Sequence, residues 1–134
     1  MTNDALIMPG YVAELVKLCL AKLGLIPSDG HKDIITASLL YEDGTELSII
    51  VMCRAQRSWF REKPILAVSI AKLDTSMRAT DIYFRDVMPV PHSPSDLQFL
   101  LAFSANVRAM AWTVSATNGM GECISLPGRP LTPG

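Results

Sequence analysis

The chain has 134 residues, a net charge of −1, 49% hydrophobic residues and 19% charged residues. This length suits one domain with a sizeable core, and the apolar content argues against disorder. The small net charge excludes a strong overall attraction to nucleic acid or membrane surfaces. No apolar run approaches the roughly 20 residues that span a bilayer.

We predict a single domain over residues 1–134, without internal repeats or an interdomain linker. Residues 1–8 are predicted to form a flexible arm, because they precede the first periodic apolar segment. Residues 9–115 are predicted to form the folded core. Residues 116–134 form a tail rich in Gly and Pro, and we expect its last residues to be mobile unless a partner orders them.

The N-terminus lacks a basic region and carries Asp4, so it does not have the pattern of a secretory signal. The three cysteines, Cys19, Cys53 and Cys123, are widely spaced and odd in number. Their spacing fits neither a disulfide framework nor a metal site, which favours reduced thiols in a cytoplasmic protein. Cys19 and Cys53 are predicted to be small buried hydrophobic residues.

The first predicted helix covers residues 10–23, with Pro9 in the first turn and Gly24 as its C-terminal stop. Its polar residues occupy a narrow stripe, and apolar residues cover most of the circumference. A helix of this kind is buried on more than one side. Either a sheet and a second helix cover it, or part of it forms a subunit interface, and we therefore expect a homodimer through the helix at residues 11–23.

The strongest local signal is a hairpin at residues 34–54, where Asp43-Gly44 separates two apolar runs. A three-residue loop, Glu42-Asp43-Gly44, with Gly44 in the left-handed region pairs Leu39 with Leu47 and makes one face almost wholly apolar. A two-residue loop would mix the faces, so the longer loop is predicted. The second face is polar near the turn and apolar at its far end.

Two further strands are predicted after a loop at residues 55–64. The third strand opens at Pro64-Ile65 and is apolar on both faces, so it should be central. The fourth strand covers residues 79–88, with Ile82, Phe84 and Met88 on one side. A short fifth strand at residues 122–126 is an alternative.

The second helix is predicted to start with Ser93 as N-cap and Pro94 at its first position, and to end near Trp112. Its predicted apolar face consists of Leu97, Leu100, Leu101, Ser104, Val107 and Ala111. The predicted fold class is α+β: a four-stranded, or alternatively five-stranded, antiparallel meander sheet with an N-terminal and a C-terminal helix packed on it.

The most unusual local composition lies in the loop after the second strand, where four basic residues flank Trp59 and Phe60 and Glu62 is the only acid. Such residues anchor protein interfaces, and they also hold phosphates and stack on bases. Alternatively, the loop is a solvated hairpin end, with Trp59 against the rim of the core. Arg78 and Arg85 could extend the same patch. The candidate partner- or ligand-binding residues are Arg54, Arg57, Trp59, Phe60, Arg61 and Lys63.

No catalytic set is apparent in the sequence. His31 and His92 lie in predicted loops, and the sequence predicts no group near either of them with which it could react. Both are therefore predicted to be surface residues. We predict no catalytic residue, metal site or cofactor, and consider an enzyme the less favoured class.

The order of elements resembles that of several small chaperones, immunity proteins and phage-encoded inhibitors in size and architecture. The leading hypothesis is a small cytoplasmic protein-interaction module: an inhibitor, immunity factor or adaptor of phage or mobile-element type. The alternative is a protein that binds a nucleotide or another phosphate ligand through the same loop. A protein partner is expected, nucleotide or nucleic acid is less favoured as a partner, and no membrane association is expected.

Overall fold

The computed structural model describes residues 3–31, 34–57, 59, 61–76, 78–116 and 129–133. It contains two helices and an antiparallel sheet, so the predicted α+β fold is confirmed. In chain order the elements are β1 (Asn3–Ala5), α1 (Gly10–Lys22), β2 (Ser28–His31), β3 (Ile34–Leu40), β4 (Glu46–Arg57), β5 (Glu62–Leu73), β6 (Ala79–Pro89) and α2 (Leu97–Ala116).

The sheet has the strand order β2-β3-β4-β5-β6, and every pairing is antiparallel. The four longest strands form the predicted meander, and two short strands extend it. β1 pairs with β4 beyond the end of β3, with Asn3 opposite Gln56. Residues 3–5, predicted as part of a flexible arm, therefore satisfy the backbone groups of the part of β4 that β3 does not reach.

The β3–β4 hairpin has the predicted register. Leu39 lies opposite Leu47, and Ile35 lies opposite Val51. Gly44 has a φ of 89°, and the N–H of Tyr41 donates to the carbonyl of Thr45 at 3.0 Å. The loop is therefore Glu42-Asp43-Gly44, and a glycine supplies the positive φ that closes it.

Both helices cover the same face of the sheet, and the core lies between them and the sheet. Odd-numbered residues of β3 and β4, such as Leu39 and Ile49, are buried in one cluster with residues of α1 and α2. β5 lies between β4 and β6 as predicted and contributes Leu66, Val68 and Ile70 to this cluster. The opposite face of the sheet carries the even-numbered residues of β3 and β4, which are half-buried or exposed.

Helix α1 ends in a glycine cap. The N–H of Leu25 donates to the carbonyl of Leu20, the N–H of Gly24 donates to that of Ala21, and Gly24 has a φ of 83°. This is the Schellman arrangement. The helix contacts both β3 and α2. A strand of the sheet and a second helix therefore cover its wide apolar surface, which is one of the two predicted arrangements. Leu18 remains 44% exposed on the outer side.

Helix α2 differs from the prediction at its start and in its buried face. It begins at Leu97, because the Oδ1 of Asp96 accepts the N–H of Phe99 at 3.0 Å and so caps the first turn. Leu97 and Leu101, which were predicted to face the core, are 70% and 74% exposed. Val107 and Ala111 are buried as predicted. The rest of the buried stripe consists of Phe99, Phe103, Met110 and Val114. The helix is apolar nearly all round, and the two aromatic rings bury more area than the leucines would.

Strand β6 contains an irregularity that the sequence pattern does not reveal. The pairing shifts between Ile70 and Ala71 on β5, so that Ile70 lies opposite Phe84 but Ala71 lies opposite Ile82. The extra residue, Tyr83, is buried in the core cluster, and Ile82 is exposed. The prediction that Ile82 shares the core side with Met88 is wrong because a bulge reverses the alternation at this point.

The end of the tail is attached to the sheet. The N–H of Leu131 donates to the carbonyl of Leu40 at 2.7 Å, and Tyr41 forms an isolated bridge with Pro130. Thr132 accepts a hydrogen bond from the N–H of Leu40 through its Oγ1. The last described residues, 129–133, therefore contact the end of β3 and the hairpin loop, while their mobility stays a prediction. The alternative fifth strand at residues 122–126 and Cys123 lie outside the described residues.

We predict that Gly44→Ala destabilises the protein by about 1–2 kcal/mol, because an L-residue is strained at a φ of 89°. No atom lies within 4 Å of the added Cβ, so the effect comes from the backbone alone. Urea denaturation measures it. Gly10→Ala is the matched control, since its Cβ also meets open space and its φ is not positive; equal losses in the two variants would contradict the proposed turn.

Tyr41 gives a second prediction. It is 1% exposed, and its hydroxyl donates to the carbonyl of Ala111 at 3.2 Å. Burial raises the pKa of Tyr41 above its ordinary value of 10.0. The unfolded chain therefore loses this proton before the folded chain does, and stability falls as the pH rises above 10.

Tyr41→Phe is expected to cost about 1 kcal/mol at neutral pH, from the lost hydrogen bond. It should also reduce the steepness of the stability loss above the ordinary tyrosine pKa. Chemical denaturation at a series of alkaline pH values measures both effects. Burial also raises the pKa of Tyr83, so Tyr83→Phe should reduce the slope in the same direction and serves as a comparison; an unchanged alkaline slope in Tyr41→Phe would refute the assignment.

Candidate binding surfaces

The predicted basic-aromatic loop is shorter in the structure than in the prediction. Strand β4 continues to Arg57 and β5 begins at Glu62, so the loop contains residues 58–61 rather than 55–64. Arg57 lies opposite Glu62, and its Nε donates to the Oε2 of Glu62 at 2.9 Å. The pairing of β5 with β6 ends at Ile65, so β4 is the only strand beside Pro64. Proline has no backbone N–H group, and this is tolerated where a strand has a neighbour on one side only.

The end of this hairpin, residues 57–63, is here called the hairpin tip. Trp59 is 94% exposed, so it is not packed against the rim of the core. Arg61 and Lys63 are exposed beside it. Phe60 lies outside the described residues. The structure thus places a large aromatic side chain and several cations on a projecting turn.

Arg54 belongs to a different surface from the hairpin tip. It lies within β4, opposite Ile65, and faces the side of the sheet that the helices leave open. Arg85 of β6 lies opposite Ser69 on the same face. Arg54 and Arg85 line one concavity, so the structure divides the five described site residues between two surfaces and joins Arg85 to the surface of Arg54.

This concavity, here called the sheet trough, has a volume of about 380 Å³. Its floor is formed by the small side chains of Ala67, Ser69 and Ala71 on β5, which lies between β4 and β6. Larger apolar side chains flank the floor on both neighbouring strands. The flanking residues are Ile50, Met52, Ile82 and Val87.

A second concavity of about 300 Å³ lies on the same face, toward the Gly44 turn. Its lining includes the carboxylates Glu46 and Asp74 with the hydroxyls of Ser38 and Ser48. The sequence predicted this polar end of the face. The open face therefore runs from an acidic end near Glu46 to a basic end near Arg54.

A third concavity, of about 830 Å³, lies between the N-terminal segment and the ends of β5 and β6. Tyr11 closes one side, and its hydroxyl donates to the carbonyl of Pro91 at 3.1 Å. His92 lines it and is exposed, as predicted. Hydrogen bonds from the backbone N–H groups of His92 and Phe99 lower the pKa of Asp96, so this carboxylate acts as a helix cap.

The described residues show no assembled reactive group. Cys19 and Cys53 are buried, and burial raises the pKa of the Cys19 thiol, which disfavours the reactive thiolate. Among the described residues, no three His, Cys, Asp or Glu side chains lie close enough together to hold a metal ion. His31 was predicted to lie in a loop, but it is the last residue of β2, because residues 28–31 pair with β3.

Comparison of the chain with protein-family models, curated proteins and solved structures finds no match. In the part of the chain that the structure describes, neither helix has the combined length and hydropathy needed to cross a membrane.

We predict that Glu62→Gln changes the free energy of unfolding by less than about 0.5 kcal/mol, because the Arg57–Glu62 ion pair is exposed. Urea denaturation at low and high salt measures this change. Thr45→Ala, elsewhere on an exposed turn, provides a comparison. A loss above about 2 kcal/mol would instead indicate that the pair holds the hairpin tip together, as a buried pair would.

Proposed function

We propose that the protein is a small interaction module that binds another protein through the hairpin tip, acting as an inhibitor, immunity factor or adaptor. The observation that carries the proposal is Trp59, which is 94% exposed at the end of two paired strands. Tryptophan and arginine are the residue types that most often dominate binding energy at protein interfaces. A solvent-exposed indole costs free energy in water, and a partner's pocket removes that cost.

The form of the hairpin supports this proposal. β4 and β5 remain paired up to Arg57 and Glu62, so the sheet holds the two strands that carry Trp59 up to the base of the tip. Strands that are already held lose less conformational entropy on binding. Arg61 and Lys63 are exposed near Trp59 in the chain, while Arg57 is paired with Glu62, so the tip carries a net positive charge that favours an acidic rim on the partner. We further propose that the protein acts in the cytoplasm and has a phage or mobile-element origin.

A nucleotide or other phosphate ligand is the second candidate for the same residues. Arginine side chains can hold phosphate oxygens in pairs, and an exposed indole can stack on a base. The three concavities described above are lined by neither Trp59 nor Arg61. A small ligand at the tip would therefore be enclosed on few sides, and this favours a protein partner.

A homodimer through the helix at residues 11–23 also remains a proposal. The outer side of α1 carries Glu14 and Lys17, which form an ion pair at 3.4 Å, beside the partly exposed Leu18. Most of its apolar residues are used in the core, so such a dimer would be weak. Light scattering with size exclusion at micromolar concentration tests it, and a monomer contradicts it.

We predict that Trp59→Ala weakens binding of the partner by about 30-fold or more, equivalent to about 2 kcal/mol for an interface anchor. Stability should change by less than about 0.5 kcal/mol, because the side chain is exposed. Affinity purification from the native host, followed by quantitative mass spectrometry, measures the partner's recovery.

The matched control is Ile26→Ala, which removes another side chain that is 86% exposed, near the opposite end of the sheet. A partner that is lost with Trp59→Ala but kept with Ile26→Ala supports the proposal. Equal recovery with both variants would place the interface elsewhere. A thermal shift with nucleotides that weakens with salt would favour the phosphate-binding alternative.

A further inference from the structure

The sheet trough has an unusual distribution of side-chain size. Its floor consists of Ala67, Ser69 and Ala71, and its walls consist of Ile50, Met52, Ile82 and Val87. Val87 and Ile82 are 49% and 37% exposed, so the walls present apolar surface to water. Small residues between larger apolar ones form a furrow that a convex apolar ridge can enter.

The backbone of the sheet restricts what can occupy this furrow. The floor strand, β5, is hydrogen-bonded on both sides, to β4 and to β6. An occupant lying on the face therefore finds no backbone partners there. It must satisfy its own N–H and C=O groups, and an α-helix does this within a single segment.

The charged residues of the open face are arranged along the strands, with acidic residues at one end and basic residues toward the other. Glu46 and Arg54 both lie on the open side of β4, eight residues apart in the chain, which corresponds to roughly 26 Å along a strand. Asp74 reinforces the acidic end, and Arg85 adds positive charge on the β6 wall. Asp86 also lines the trough, and its carboxylate, which accepts the N–H of Val87 at 2.8 Å, offsets part of the charge of Arg85, so Arg54 marks the basic end.

We propose that the sheet trough is a docking site for an amphipathic α-helix of a partner protein, with acidic residues beside its apolar stripe. The helix lies along β5, with its N-terminus over Glu46 and Asp74 and its C-terminal half near Arg54 and Arg85. This direction places the positive end of the helix dipole on the carboxylates and the negative end near the arginines. A span of about 26 Å accommodates roughly 17 helical residues.

Other occupants fit the trough less well. A single-stranded nucleic acid would need aromatic rings on which bases stack, and the lining residues include none. A small molecule is normally buried on most sides, whereas this furrow is an open face. The site is separate from the hairpin tip, so its test does not depend on the function proposed for Trp59.

The experiment uses the full chain and a synthetic, capped helical peptide of about 17 residues, which matches the trough in length. The peptide carries leucine at helical spacing and glutamate beside this stripe in its C-terminal half, and a second peptide carries lysine at the glutamate positions. Methyl NMR of the isoleucines and methionines follows binding. Ile50, Met52 and Ile82 should shift, while Ile35, Ile49 and Ile70, which are in the core on the other face, should stay unchanged.

The acidic peptide is expected to bind about tenfold more tightly than the lysine peptide, and the double variant Arg54→Glu/Arg85→Glu should reverse this preference. Lys22→Glu/Arg108→Glu changes the net charge by the same amount on the two helices, which cover the other face, and should leave the peptide preference unaltered. A nitroxide at the N-terminus of the peptide should broaden the amide signal of Ser48 more than that of Ile65. Circular dichroism and thermal melts confirm that each variant is folded.

Three results would overturn the proposal. One is the absence of changes in methyl chemical shifts at millimolar concentrations of the acidic peptide. Another is a set of shifts outside the trough, and the third is a peptide preference that persists in the Arg54→Glu/Arg85→Glu variant. Filling the furrow by Ser69→Trp gives an independent check, because it should abolish binding without altering charge.

Discussion

The alternation of side chains along the β3–β4 hairpin is the constraint on which the rest of the structure depends. Gly44 adopts a positive φ, the loop takes three residues, and the two strands are then paired with Leu39 opposite Leu47. A slip of one residue would exchange the faces of both strands. The core under both helices, the position of β5 and the composition of the open face all follow from this register.

Strand β4 links the core to both proposed binding surfaces. It pairs with β3 and β1 on one side and with β5 on the other, so its backbone is held along most of its length. Its odd-numbered residues enter the core, and its even-numbered residues form one wall of the sheet trough. Its last residue, Arg57, supports the hairpin tip. A strand held in this way can present side chains on a face and at an end without separate supporting elements.

The two helices cover different parts of the same face of the sheet. α1 contacts β3, and α2 contacts β6. The buried apolar residues of both helices pack against the same face of the sheet. No described segment covers the other face, which accounts for its mixed composition of small, apolar and charged residues. The end of the tail strengthens the same arrangement, because Leu131 and Thr132 bond to Leu40 next to the Gly44 turn.

The sequence by itself determined the fold class, the hairpin register and the ends of α1, because glycine position and side-chain alternation are local properties. Tertiary structure decided the buried face of α2, since its stripes of leucine and phenylalanine are both apolar and only the shape of the sheet selects between them. It also decided the bulge at Tyr83, the extension of β4 to Arg57, the docking of residues 129–133 and the separation of Arg54 from Trp59. Each of these depends on which strand lies beside which, and such contacts join residues that are distant in the chain.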